Sequence, residues 1–146
     1  MKSAPFFLLA LVVLVFDQLT KLLIRSTLPL GHSVPVVDGV IRLTHVGNTG
    51  AVFGIFPGQS YIFLIMSLFL LGLILFVYRN PQLRRLTWGL GIIFGGGLGN
   101  LIDRLHQGYV TDFIDLRVWP VFNVADASIV LGTGFLIFMV MKGNRS

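Results

Sequence analysis

The chain is 146 residues long, about one domain's worth, and 55% of it is apolar while only 12% is charged, about half the charged share of an ordinary soluble domain. With a mean hydropathy of +0.87, it is not a disordered chain, which would have too little apolar surface to offset ordering entropy; it belongs in a membrane. The absence of cysteine excludes disulfides, thiolate metal sites and cysteine nucleophiles; the net charge of +5 fits basic cytoplasmic loops and no nucleic-acid partner.

A hydrocarbon core about 30 Å thick takes roughly 20 mostly apolar residues as a helix, and four stretches qualify: 4–24, 61–78, 86–102 and 122–141. The first begins like a secretory signal peptide, with Lys2 ahead of the apolar run Phe6 to Phe16. No A-x-A-like cleavage site follows and the helical pattern continues through Asp17, Gln18 and Lys21, so a retained helix is expected. Asp17 and Lys21 are four apart on one face, the spacing of an ion pair. Residues 34–46 hold two β-prone runs around Asp38 and Gly39, the commonest hairpin dipeptide, which predicts a small extracytoplasmic β-hairpin. Gly47 to Phe56, apolar and punctuated by glycine, reads as an interfacial or re-entrant segment.

Arg79, Arg84 and Arg85 lie between the second and third stretches, so that link is expected to be cytoplasmic. Four spans then put both termini on the same side, in keeping with Lys2, Lys142 and Arg145. In the third stretch Gly91, Gly95 and Gly99 recur every four residues, a spacing that lets helices approach closely. The run from Gly95 to Gly99 lacks the preceding strand and following lysine of a phosphate loop. At its end Asn100 and Asp103 share a helical face with Arg104 beside them, which reads either as a held polar cluster or as a helix-terminating salt bridge.

All six acids are aspartates, and an Asp or Lys deep in a spanning helix costs on the order of 2.5–3.5 kcal/mol, so each is a site candidate. Asp126 opens the fourth stretch, where the helix dipole favours an anion. Asn123 is better placed as the N-cap, leaving Asp126 free to face the bundle interior. From Asp112 the chain passes a Trp119-Pro120 turn and is long enough to double back, so the two carboxylates can meet at the outer membrane boundary. Two carboxyls in one low-dielectric site cannot both ionise comfortably; one keeps its proton while the other serves as a base, which equips the pair to activate water against an amide. Spacing alone leaves open whether they form a catalytic pair or are separate structural acids.

Serine chemistry lacks a G-x-S-x-G, and Ser128 has no evident histidine partner. Metalloprotease chemistry lacks H-E-x-x-H; His32, His45 and His106 read as surface residues, and no metal is expected. A small channel or transporter using Asp17, Asp103, Asp112 and Asp126 as a polar pathway is the alternative reading, and acids at several depths would favour it.

Taken in order, Asp17-Gln-Leu-Thr-Lys21, Asn48-Thr-Gly-Ala-Val-Phe53, Gly96-Gly-Leu-Gly-Asn100-Leu-Ile-Asp103-Arg104, Val110-Thr-Asp112-Phe113 and Phe122-Asn123-Val-Ala-Asp126 resemble the motifs of the bacterial lipoprotein signal peptidases, the signal peptidase II family. The resemblance spans the whole chain. It implies a single integral membrane peptidase domain, residues 1–146, of all-α class: four transmembrane helices, a small extracytoplasmic β-hairpin or cradle and an interfacial segment. It implies an aspartic endopeptidase that removes the signal peptide from a prolipoprotein immediately before the diacylglyceryl-modified cysteine, without a cofactor. Asp112 and Asp126 would be the catalytic dyad, and Asn48, Gly50, Asn100, Asp103, Arg104, Asn123, Asp17 and Lys21 the substrate-binding or supporting residues; Asp115 is left outside this set. The expected partners are the lipidated substrate and membrane lipid. The expected setting is the bacterial cytoplasmic (inner) membrane, where the protein acts as a monomer with both termini cytoplasmic and its site near the outer face.

Overall fold

A computed structural model describes residues 4–50 and 60–143. The chain runs α1 (Ala4–Thr27), β1 (Ser33–Val37), β2 (Ile41–Asn48), α2 (Ser60–Arg79), a 3-10 segment (Pro81–Leu86), α3 (Thr87–Gln107), β3 (Val110–Asp115) and α4 (Val124–Gly143). Among the described residues three helices are long and apolar enough to cross a membrane, within α1, α2 and α4. The Ala51 to Phe56 part of the expected interfacial segment lies outside the described residues.

α3 packs against all three of these helices, and its glycines are the reason it can. A side chain at Gly91 would meet the Phe6 carbonyl at 2.7 Å, one at Gly95 the Ala10 carbonyl at 2.5 Å, and one at Gly99 the Asp17 carboxylate. The four-residue stripe therefore lies against α1. A side chain at Gly96 would meet the Ala125 carbonyl of α4 at 2.6 Å. Close backbone approach of this kind needs small residues at the contact.

The end of the bundle that holds the Arg79–Arg85 link is closed by an apolar cluster of Phe6, Ile74, Leu86, Leu90 and Ile93, with Phe6 stacked on Tyr78 at 4.1 Å. At the other end stands an antiparallel sheet in the order β1-β2-β3. The expected hairpin is β1 and β2, turning at Gly39 with φ +75°. β3 was not expected. It pairs with β2 in a register that sets Val46 opposite Asp112 and Asn48 opposite Val110, and its far end is clipped by a bridge between Ile114 and Phe122. That bridge turns the chain back at once toward α4.

Candidate active site

Asp17, Lys21 and Arg25 recur every four residues and form one polar stripe on α1. Lys21 is fully buried. Its Nζ lies 2.9 Å from Asp17 Oδ2 and 3.2 Å from Asp103 Oδ2 and donates to Asn100 Oδ1 at 2.9 Å, which occupies all three ammonium donors. Arg25 Nη1 lies 3.3 Å from Asp103 Oδ1 and donates to Thr111 Oγ1 at 3.2 Å. Two acids against two cations leave no net charge, the condition under which such groups tolerate burial. Gln18 completes the cluster by donating to the Gly99 carbonyl at 3.1 Å and Asp103 Oδ1 at 3.3 Å.

The cluster also reaches outward. Asp17 Oδ1 accepts the Ala125 amide at 2.9 Å, capping α4 from a neighbouring helix, and Asp103 Oδ2 accepts the Thr111 amide at 2.9 Å, pinning β3. The network thereby positions the two elements that carry Asp112 and Asp126.

Asn123 joins these two acids. Its Nδ2 donates to Asp112 Oδ1 at 2.6 Å, its Oδ1 accepts the Asp126 amide at 2.9 Å, and its own amide donates to Asp126 Oδ2 at 3.3 Å. The last two bonds form a reciprocal capping box at the start of α4, so Asn123 is the cap and Asp126 is part of the same cap. Asp112 Oδ2 accepts from Asn48 Nδ2 at 2.8 Å, and Asp126 Oδ1 from Asn100 Nδ2 at 2.8 Å. Asn48 is aimed by the turn after it: its Oδ1 accepts the Gly50 amide at 2.8 Å. Gly50 has φ +86°, and a side chain there would also overlap the Phe63 ring; both effects require glycine.

Asp112 is buried whereas Asp126 is half-buried. Burial pushes the Asp112 carboxyl up to about 6; the Asn48 hydrogen bond opposes the rise, the Asp126 charge adds to it, and Asn123 and Lys21 again oppose it. Asp115 points elsewhere, accepting the Arg117 amide at 2.8 Å and Thr44 Oγ1 at 2.9 Å. Those two bonds hold its carboxyl below the usual range.

The structure separates Asp103 from Arg104, which the sequence reading had placed in one polar cluster or salt bridge. Successive helical residues point in different directions, so Asp103 turns to Lys21 and Arg25 while Arg104 turns toward α2. Arg104 Nη1 donates to Ser67 Oγ at 3.3 Å and the Asn100 carbonyl at 3.4 Å, and its guanidinium carbon stands 6.0 Å from the Phe63 ring centre. His45 is also corrected. It is buried, with Nδ1 2.7 Å from the Leu28 carbonyl, while His32 and His106 are exposed. The sequence reading missed Arg25, Thr111, Gln18 and Ser67. Arg25 carried a signal, since it continues the spacing of Asp17 and Lys21.

Among the described residues no group of three or more His, Cys, Asp or Glu is arranged to hold a metal. What the arrangement can do is acid–base chemistry. It sets a deeply buried carboxyl, whose value burial raises, beside a more accessible one, with amides fixing both.

Residues 9–142 match the family model described as signal peptidase (SPase) II. The chain is 42% identical to a lipoprotein signal peptidase of Halothermothrix orenii over 95% of its own length and 97% of the relative's. It is 45% identical to one of Moorella thermoacetica over 94% and 93%. It superposes with TM-score 0.84 on a bacterial membrane enzyme solved by the in meso method, at 32% identity over 97% of this chain and 89% of that one. Sequence, fold and nearly complete coverage thus agree, and the chain belongs to the signal peptidase II family.

Proposed function

We propose that this chain is an aspartic endopeptidase whose dyad is Asp112 and Asp126. The family cleaves signal peptides from prolipoproteins, and here the cut falls immediately before the diacylglyceryl-modified cysteine. The observation that carries the reading is the hydrogen bonding of one residue, Asn123, to both acids. Asp112, whose burial favours the neutral form, holds the dyad's proton and donates a hydrogen bond to the scissile carbonyl. Asp126, at the dipole-stabilised start of α4, takes a proton from the attacking water. As the tetrahedral intermediate collapses, a proton passes to the departing amine and the dyad returns to its starting state. Asn48, Asn100, Asn123 and Gly50 orient the acids, Arg104 holds substrate backbone, and Asp17, Lys21 and Asp103 lock the two carrier elements together.

The protein acts as a monomer in the bacterial inner membrane, with α3 as a fourth span. Hidden among three apolar helices, α3 meets little lipid, so glycine in place of bulky apolar residues costs it nothing in the bilayer. Both termini and the Arg79–Arg85 link are cytoplasmic and the site lies at the outer face. The test is cleavage of a diacylglyceryl-modified prolipoprotein in micelles, read by mass. Asp112→Asn and Asp126→Asn are each expected to abolish turnover, and the double variant to be scarcely worse than either, because the acids act as a unit. Near-normal turnover in either single variant removes that residue from the dyad.

A further inference from the structure

Thr111 stands one residue before Asp112 on β3, is fully buried, and sends its three polar groups in three directions. Its amide donates to Asp103 Oδ2 at 2.9 Å. Its hydroxyl accepts from Arg25 Nη1 at 3.2 Å and from Gln107 Nε2 at 2.9 Å, which ties the last turn of α1 and the last residue of α3 to the strand. Its carbonyl accepts from Asn123 Nδ2 at 3.3 Å. That nitrogen also donates to Asp112 Oδ1 at 2.6 Å and to Asn100 Oδ1 at 3.1 Å. An amide nitrogen carries two hydrogens, so three acceptors compete for them. Asp112 keeps the shortest bond only while the other two acceptors stand farther off.

We propose that the Thr111 hydroxyl is a positioning group for the dyad: clamped by Arg25 and Gln107, it holds the Thr111 carbonyl at the distance that leaves Asn123 committed to Asp112. This rests on the peptidase reading above and adds to it three side chains outside the dyad's own hydrogen bonds. The amide bond to Asp103 fixes one point on the strand, about which β3 could still pivot; the hydroxyl, held from α1 and α3 together, fixes a second. Arg25 and Gln107 both line a cavity of about 400 Å³ between α1 and α3, with Gln18 and His106. Water can therefore replace the lost acceptor when the hydroxyl is removed, which spares the fold. Water cannot hold the strand in place. Among the described residues the charged groups that act on Asp112 are Asp126 of α4, Lys21 of α1 and Arg104 of α3. Removing a hydroxyl leaves all three, so a change in how Asp112 titrates reports on its hydrogen bonds.

The test compares Thr111→Val, which keeps the shape and loses the hydroxyl, with Thr111→Ser, which keeps the hydroxyl, each as the intact protein in micelles. The Asp112 carboxyl is titrated by carbon NMR of protein isotope-labelled at aspartate Cγ; the chain has six aspartates, and Asp112→Asn identifies the resonance. A weaker bond from Asn123 stabilises the ionised carboxylate less and raises the midpoint. Thr111→Val is expected to titrate higher than the parent protein by about half a pH unit or more, a part of what complete loss of such a bond would give, and Thr111→Ser to titrate with the parent. An unchanged midpoint in Thr111→Val, or a Thr111→Ser midpoint that moves with it, overturns the proposal. The titration needs no turnover, so failure of the parent protein to cleave a lipidated prolipoprotein would count against the peptidase reading alone. In the cleavage assay Thr111→Val is expected to lose about tenfold in kcat at unchanged KM, short of the roughly hundredfold that misplacing a reacting group can cost, and Thr111→Ser to recover it. A Thr111→Val protein that unfolds more easily yet keeps its kcat has lost a structural contact only, and contradicts the proposal.

Discussion

Asn48→Ala tests the protonation logic of the dyad through a shift whose direction is fixed in advance. Asn48 Nδ2 donates to Asp112 Oδ2 at 2.8 Å, and a donor of this kind stabilises the ionised carboxylate. Hydrogen bonds to charged groups contribute about 1.5–3 kcal/mol, and one pKa unit corresponds to about 1.4 kcal/mol. Losing the bond therefore raises the Asp112 value by about one to two units, the lower figure where water replaces the amide. The carboxyl stands at about 6 with Asn48 present. If Asp112 holds the required proton, kcat/KM falls as pH rises through that value, and in Asn48→Ala the same limb moves to about 7 or above. The assay is kcat/KM for a lipidated prolipoprotein across pH 5 to 9, and the readout is the midpoint of the alkaline limb rather than its height. Asn48 also bonds the Gly50 amide, so the height will fall. A limb that stays in place or moves to lower pH would refute the assignment of the proton to Asp112.

Lys21→Met leaves the buried Asp17 without its cation and Asp103 with Arg25 alone, so unfolding in micelles should become easier by about 3–5 kcal/mol. Adding Asp17→Asn, which keeps an oxygen for the Ala125 amide, should restore most of that loss; a double variant as unstable as the single would contradict the pairing. Gly95→Ala drives a methyl into the α1 backbone, whereas a methyl at Gly72 would meet nothing within 4 Å among the described residues. The first should cost about 1–3 kcal/mol and Gly72→Ala should be neutral or mildly stabilising, as compared by thermal unfolding. For topology, single cysteines in this cysteine-free chain should react with an impermeant reagent on intact cells at Asp38 and only after lysis at Gln82; the reverse pattern inverts the orientation.

Much was fixed by local pattern. Apolar runs of bilayer length announced α1, α2 and α4, the Asp38-Gly39 turn announced the hairpin, the glycine stripe of α3 announced a close neighbour, and the Asp17–Lys21 spacing announced an ion pair. Each depends on residues within a few positions of one another, which periodicity reports directly. The ordered motifs also named the residues of the candidate site. Tertiary structure decided what those residues touch. β3 escaped notice because its partner β2 lies more than sixty residues earlier and its first four residues are buried, so no alternation of apolar and polar residues marks it. Spacing reads Asn123 as a cap and the motifs read it as a supporting residue, but neither gives its partner; its bond to Asp112 exists because the Ile114–Phe122 bridge folds β3 back onto the start of α4. Asp103 and Arg104 are adjacent in sequence yet face different helices, since a helix turns about 100° per residue. Which charge meets which is set by packing across the bundle, and spacing along one chain carries no record of it.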